Sequence, residues 1–392
     1  MEHTLEHQIL TIYLEKNIDS TNANDVEHEI ENIVKNKDFK QLIFDFEKVD
    51  YISSAGLRIM LKFKKGYNTL RIINTNIAVY DIFDMTGFTK IMDISKSYQK
   101  VSVDGCEVIG QGAKGTVYRV DNDTIIKVYV DSVNFEDMLR ERELAKKVFI
   151  LGVPTAISFD IVQVNNLYAT KFELINTDSV AKLLAKKPEN IDQYVAIYAD
   201  LLKHIHSIIV DEKTPEIKQL QPQVLSWVEF DKDHLPPQTY KKVHKLVSKI
   251  PEVNNLLHCD YHAQNVMIEG AEPILIDMDT VSKGHKVFEF GFMYNSYMGF
   301  SAVNHAVVEK FLGISQELSD AFFKKTIARY IGSDDEKKVQ DVLDKAALIG
   351  CIRMLRRVIR KGGSSPEYKE AEYNFYRNKI IELADKLNTL DF

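Results

Sequence analysis

Apolar positions along this chain recur with two different periods, and the change from one to the other marks its organisation. QILTIYL (8–14) and QLIFDF (41–46) have the length and patterning of strands, whereas Val26, Ile30, Ile33 and Val34 recur at helical spacing in the acidic stretch from Ala23 to Lys37. SSAGLRIMLKFKK (53–65) predicts a helix opened by a serine cap, TLRIIN (69–74) another strand, and VYDIFDMTGF (79–88) a short helix ending near Gly87. This alternation predicts a small α/β domain over residues 1–95. The short polar stretch 96–104 is expected to be a linker.

Beyond it the pattern is first β and then helical. CEVIGQGAKGTVYRV (106–120) and DTIIKVYV (123–130) predict two strands joined by a glycine-rich turn and a third strand carrying Lys127. FEDMLRERELAKKVFIL (135–151) predicts a helix and LYATKFELINT (167–177) a strand. From Ser179 the spacing is mostly helical, including 197–208 and 345–361. A β-rich lobe over 105–175 and a helical lobe over 176–392 are therefore expected.

Length and charge bound the functional classes. A chain of 392 residues exceeds the size at which one core keeps growing, so two or three domains are expected. With 45% hydrophobic and 27% charged residues the composition is that of a soluble globular protein, and a net charge of −7 disfavours nucleic acid or an anionic membrane surface as the main partner. Cys106, Cys259 and Cys351 form neither a disulfide framework nor a zinc pattern, which points to a reducing interior. No apolar signal core opens the chain and no run of 18 apolar residues occurs, so a cytoplasmic protein without a membrane span is expected.

Candidate chemistry concentrates in HCDYHAQN (258–265) and ILIDMDT (274–280). Phosphoryl transfer needs a carboxylate to orient the attacking hydroxyl and accept its proton, and oxygen ligands for a metal that holds the nucleotide phosphates. Asp260 suits the first role, Asn265 and Asp277 the second, with Asp279 as a further metal or acceptor contact and His258 as a brace for the loop. His258 and His262 lack the glutamate of a zinc HExxH pair. Upstream, Gly110, Gly112 and Gly115 fit a GxGxxGxV pattern in which bare backbone lies close over phosphates, with Lys127 placed to neutralise them. The β-prone TVYRV that follows the glycines excludes a dinucleotide fingerprint, which opens a helix. A lysine so placed needs a carboxylate to hold it, and the 135–151 helix offers Glu136, Glu141 and Glu143. Where the first lobe ends, Glu173 and Leu174 are candidates to bond the purine through their main chain.

Two resemblances refine this reading. VDYISSAGLRIML (49–61) followed by VYDIFDMTGFTKIMDI (79–94) resembles the STAS family, the fold of bacterial anti-sigma factor antagonists. Members often read Asp-Ser-Ser-Gly-Leu with the first serine phosphorylated by a partner kinase. The resemblance puts Ser54 at the acceptor position and Ser53 where the aspartate stands, and it implies a regulatory protein partner. A phosphate at a helix N-terminus would meet free N–H groups and the helix dipole, though Ser53 or Ser54 is equally able to serve as a plain cap. From Asp104 onward the chain resembles the aminoglycoside phosphotransferase and choline kinase superfamily, through HCDYHAQN, IDMD and HIHS (204–207). That resemblance implies a bilobal α+β protein-kinase-like fold after the STAS-like domain, with ATP or GTP and Mg²⁺ as cofactors and a small hydroxyl compound as acceptor.

The same resemblance favours Glu143 as the partner of Lys127, by its spacing before Gly152, with Glu141 as competitor. Cys259 replaces the family's usual glycine and Glu289 a common aspartate. Cys259 also stands where a protein kinase carries an arginine, and no APE motif follows Asp277, which favours a small acceptor over a protein. Trp227, Glu229, Asp231 and Asp233 suggest an aromatic and acidic wall for a cationic acceptor. The expected function is γ-phosphoryl transfer to a small hydroxyl compound. The alternatives are a protein kinase acting on Ser54 and a non-catalytic nucleotide-gated module.

Overall fold

The structure, a computed structural model, describes residues 1–392 apart from Asn36, Ala113, Asp131, Asn134, Asn166, Lys213 and Ala271. The chain forms two compact units: Met1–Asp104 with Ile161–Ala169, and Gly105–Asp160 with Thr170–Phe392.

The first unit runs β1 (His3–Glu6), β2 (Ile9–Tyr13), α1 (Ala23–Lys35), β3 (Gln41–Asp45), α2 (Ser54–Gly66), β4 (Arg71–Thr75), α3 (Ile77–Met85) and β5 (Asp93–Lys96). Its five strands lie in sequence order, β1 antiparallel to β2 and the rest parallel. Parallel pairing needs crossovers, and the amphipathic α1 and α2 supply them. Their inner faces (Ile30 and Val34; Leu57, Met60 and Phe63) share one core with Leu10, Ile12, Leu42, Phe44 and Ile72 of the sheet. Gly56 is required where α2 crosses Ile18 and Ile52, since a Cβ there would stand 2.6 Å from Ile52 Cγ1. A short β6 (Gln99–Lys100) pairs in parallel with Val162–Gln163. Residues 96–104, expected as a linker, thus contribute a strand, and 161–169 of the expected nucleotide lobe group with the first unit.

The second unit opens with β7 (Glu107–Gly112), β8 (Gly115–Arg119) and β9 (Thr124–Tyr129), antiparallel in succession. Next come α4 (Phe135–Ile150), β10 (Ser158–Val164) and β11 (Leu167–Glu173), of which residues 161–169 belong to the first unit. The helical part holds α5 (Val180–Lys186), α6 (Ile191–Ser207), α7 (Gln221–Phe230) and α8 (Pro237–Ser248). It then interposes β12 (Leu256–Leu257), β13 (Val266–Glu269), β14 (Glu272–Leu275) and β15 (Ser282–Lys283) before α9 (Lys286–Tyr294), α10 (Ala306–Leu312), α11 (Gln316–Ile331), α12 (Glu336–Lys361) and α13 (Lys369–Lys386). The β13–β14 hairpin separates the two chemical motifs and brings them side by side. α12 is the central helix, with Ala346, Leu348, Ile349, Cys351, Ile352 and Leu355 in the core. Gly291 of α9 and Gly350 of α12 let those helices touch, because a Cβ on Gly350 would stand 2.7 Å from the Gly291 carbonyl. Among the described residues no helix is long and apolar enough to cross a membrane.

Candidate active site

One cavity of about 1240 Å³ in the second unit is lined by the glycine-rich hairpin, Lys127, Asp260, Asn265, Asp277 and Asp279 together. Gly112 pairs with Gly115 across the turn, and β8 lies so close to β9 that a Cβ on Gly115 would stand 2.2 Å from the Val128 carbonyl. Only glycine fits there. β8 sets Val117 opposite Lys127 and so aims the lysine under the hairpin.

Lys127 Nζ lies 2.6 Å from Glu141 Oε1 and 3.7 Å from Asp277 Oδ1. Burial pushes the Lys127 pKa down, yet the fields of Asp277 and Glu141 outweigh it and the net direction is up, so the ammonium stays charged. The sequence expectation of Glu143 is corrected here. Glu143 is on the solvent side of α4, 3.4 Å from Lys146. Met138, Glu141, Leu144, Ala145 and Val148 form the helix's buried stripe, and helical register puts Glu141, two residues earlier, on that inner face.

The loop 258–265 is held from behind by a buried carboxylate. Glu289 of α9, fully buried, accepts the His258 N–H at 2.6 Å and the Cys259 N–H at 2.9 Å, with His206 Nε2 at 3.7 Å. Burial pushes its pKa up, but nearby His206 and His258 and the Cys259 N–H outweigh it and the carboxyl is held low. Cys259 has φ +66°, a left-handed backbone that favours glycine, and the two Glu289 oxygens on its N–H hold it in place. Burial drives its thiol pKa well up, so it is no nucleophile at neutral pH. Tyr261 OH donates to the Tyr198 carbonyl (2.7 Å) and Tyr198 OH to that of Tyr261 (3.0 Å), locking the loop to α6.

His258 Nε2 lies 3.2 Å from the Ile276 carbonyl and the His258 carbonyl accepts from Thr280 Oγ1 at 2.8 Å, joining the loop to the segment after β14. Asp260 is 39% exposed, with Oδ2 3.5 Å from His262 Nε2. Burial raises its pKa, but His262, His258 and Arg353 outweigh burial and hold the carboxyl below its ordinary value. Asn265 Nδ2 donates to the Asp260 carbonyl at 3.0 Å, which leaves its Oδ1 as the amide's ligand atom. Asp277 follows β14 at φ +66°, ψ 69°, a strained turn that presents its carboxylate, 39% exposed, to the cavity.

Two expected contacts stand differently. Asp279 is ion-paired with Lys114 of the hairpin, a partner that sequence reading missed. Glu173 and Leu174 line the cavity, but their N–H groups already donate to the Ile157 and Asp123 carbonyls (2.9 and 2.8 Å) and are not free for a purine. The expected aromatic and acidic wall is corrected as well, since none of its residues lines the cavity. Trp227 and Asp231 are buried in the helical core, while Glu229 pairs with Tyr240 and Lys232 at the surface. Among the described residues no three His, Cys, Asp or Glu side chains cluster as a metal cage.

A family model described as phosphotransferase enzyme family matches residues 105–316. The chain belongs to this family. A STAS domain model matches residues 2–101, so the phosphotransferase carries a STAS domain ahead of its kinase-like fold. Among solved structures it is similar to the ADP-bound aminoglycoside phosphotransferase APH(2'')-Ib, at 14% identity over 71% of this chain and 93% of that one (TM-score 0.49). It is also similar to the GDP complex of aminoglycoside 2'-phosphotransferase-IIIa, at 12% over 78% and 98% (TM-score 0.49). An anti-sigma factor antagonist from Thermotoga maritima is similar at 14% over 24% of this chain and 85% of that one (TM-score 0.23). No curated protein matches the sequence of this phosphotransferase.

In the first unit Ser53, not Ser54, caps α2, its Oγ accepting from the Ala55 and Gly56 N–H groups at 3.2 and 3.5 Å. Ser54 is exposed in the first turn.

Proposed function

We propose that this phosphotransferase moves the γ-phosphoryl group of ATP or GTP to a hydroxyl of a small molecule, with Mg²⁺ at Asn265 and Asp277. The observation that carries the reading is the convergence of hairpin, Lys127, Asp277, Asn265 and Asp260 on one cavity. The hairpin's bare backbone and Lys127 hold the nucleotide phosphates. The acceptor oxygen attacks the γ-phosphorus, the bond from that phosphorus to the β–γ bridging oxygen breaks, and the nucleoside diphosphate leaves. Asp260 takes the hydroxyl proton and passes it to solvent.

The donor set fits Mg²⁺. Asn265 Oδ1 and the Asp277 carboxylate are hard oxygen ligands, too few for a closed cage, as suits an ion completing its shell with phosphate and water. When bound, Mg²⁺ would supply charge neutralisation at the phosphates. Asp279 joins them only if Lys114 lets go.

Cys259 in the arginine position and the missing APE motif support a small acceptor, and three free cysteines fit a reducing cytoplasm. Incubating the full chain with Mg²⁺ and γ-labelled nucleotide across a hydroxyl-compound panel tests this. Label on a small molecule in wild type and not in Asp260→Asn supports it; label on none while nucleotide binds counts against it.

A second reading has one observation in its favour: Ser53 does the capping, which leaves Ser54 exposed as a phosphoacceptor for regulation through a protein partner. Peptide mass spectrometry after incubation with Mg-ATP decides it, and an equal phosphate level on Ser54 in Asp260→Asn removes the autokinase version.

A further inference from the structure

The charged groups of the cavity are satisfied very differently, and of its two arginines Arg119, on the hairpin, donates to the Asp121 carbonyl at 3.3 Å. Glu141 and Asp277 have Lys127 within 4.0 Å, Asp279 has Lys114, and Asp178 has Lys186 at 2.5 Å. Arg353 of α12 lines the same cavity, half-buried, with its guanidinium 4.2 Å from the Phe292 ring centroid. Among the described residues no carboxylate oxygen lies within 4.0 Å of it. Partly desolvating a guanidinium with no carboxylate in contact is costly, and a planar fork held over an aromatic ring is set up to receive one.

Its place says which molecule would bring that anion. Arg353 and Asp260 line one cavity and act on each other electrostatically, whereas the hairpin, Lys127 and Asp277 mark the phosphate-binding part. A compound with its hydroxyl at Asp260 presents its remaining groups to Arg353. Glu229, Asp231 and Asp233, the acidic wall that the sequence suggested for a cationic acceptor, do not line the cavity.

We infer that Arg353 is the specificity-determining residue for the acceptor, and that the acceptor is a hydroxyl compound bearing a carboxylate or phosphate rather than an amine. The inference rests on the phosphotransferase reading and adds to it the charge of the substrate. The acceptor's hydroxyl attacks the γ-phosphorus as above, its proton passing to Asp260, while its anionic group takes two N–H bonds from Arg353 and is unchanged by the reaction.

The test uses the full chain with Mg-ATP and four probe classes: hydroxy acids such as glycerate, phosphate esters such as glycerol 2-phosphate, neutral polyols and hydroxy amines such as choline. Label transfer is measured for wild type, Arg353→Ala and Arg353→Lys, with thermal melting to show that each folds. The expected result is transfer to an anionic class. Arg353→Ala should raise the acceptor KM about tenfold or more with a smaller change in kcat, and Arg353→Lys should recover part of the loss. A parallel NMR titration of the anionic probes into protein loaded with Mg²⁺ and a non-hydrolysable ATP analogue separates the two layers of argument. Anion binding that disappears in Arg353→Ala upholds the inference even if no transfer occurs, in which case only the phosphotransferase reading fails. Transfer confined to neutral or amine probes, no anion binding by wild type, or a nucleotide KM that rises in place of the acceptor KM overturns it.

Discussion

At the hairpin side of the cavity Lys127 meets Glu141 at 2.6 Å and Lys114 meets Asp279, so each of these two lysines already has a carboxylate. Beside Asp260, by contrast, Arg353 stands on an aromatic ring with no carboxylate within 4.0 Å among the described residues. The first arrangement keeps the charges compensated before a ligand arrives, and the lysines need only change partner when phosphates enter. The second leaves a charge for the ligand to compensate. A shared nucleotide chemistry can be served by self-paired groups, while acceptor identity is written in what the protein leaves unpaired.

The largest effect that could break this contrast is at Asp260. Asp260→Asn removes the only proposed proton acceptor, and kcat should fall about 10³-fold with nucleotide affinity changed no more than about twofold, read by steady-state kinetics and calorimetry. A much smaller loss would mean that Asp260 does not face the reacting hydroxyl. Because its carboxyl is held below its ordinary value, the ionised form needed by a base persists into acid. Its stability contribution is present above the unfolded pKa and is lost as pH falls through the lower folded value.

Glu141 against Glu143 comes next. Glu141→Gln leaves Lys127 with Asp277 as its one carboxylate within 4.0 Å among the described residues and should lower kcat/KM about tenfold or more, whereas Glu143→Gln, on the solvent side, should stay within about twofold. Equal effects would undo the assignment of the pair.

The smallest effect separates Asp231 from the acceptor site. It is fully buried, with both carboxylate oxygens unbonded, and burial pushes its pKa up to about 8 while Arg356 only partly opposes. Folded-state protonation therefore stabilises below the unfolded pKa, and that stability is lost as pH rises through about 8. Chemical denaturation should show wild type losing on the order of 1 kcal/mol per pH unit relative to Asp231→Asn between about pH 5 and pH 8. Acceptor KM should hold within about twofold, and a larger shift would return Asp231 to the acceptor wall.

The unequal legibility of these regions has a physical origin. Asp260, Asn265 and Asp277 lie within eighteen positions on one loop and hairpin, and the glycines and Lys127 on three successive strands, so local spacing carries their geometry. The error at Glu143 came from counting to Gly152 when the helical stripe through Met138, Leu144 and Val148 already singled out Glu141. Cys259 looked like a departure in chemistry; its φ of +66° shows that backbone shape is why glycine is usual there. Arg353 lies 93 residues beyond Asp260, on a helix whose RMLRR run reads as an ordinary charged face. No sequence period reports that this face looks into a cavity, and the acidic cluster near Trp227 drew attention to residues that the helical core buries.

The most direct measurement is where the γ-phosphoryl group ends up. Full-length protein is incubated with Mg²⁺, γ-labelled ATP and an acceptor mixture, and the label is then divided between small-molecule and protein fractions, wild type beside Asp260→Asn. The account predicts label on an anionic hydroxyl compound, matched by ADP and lost in the variant. Label only on the protein, or only on a hydroxy amine, would contradict it.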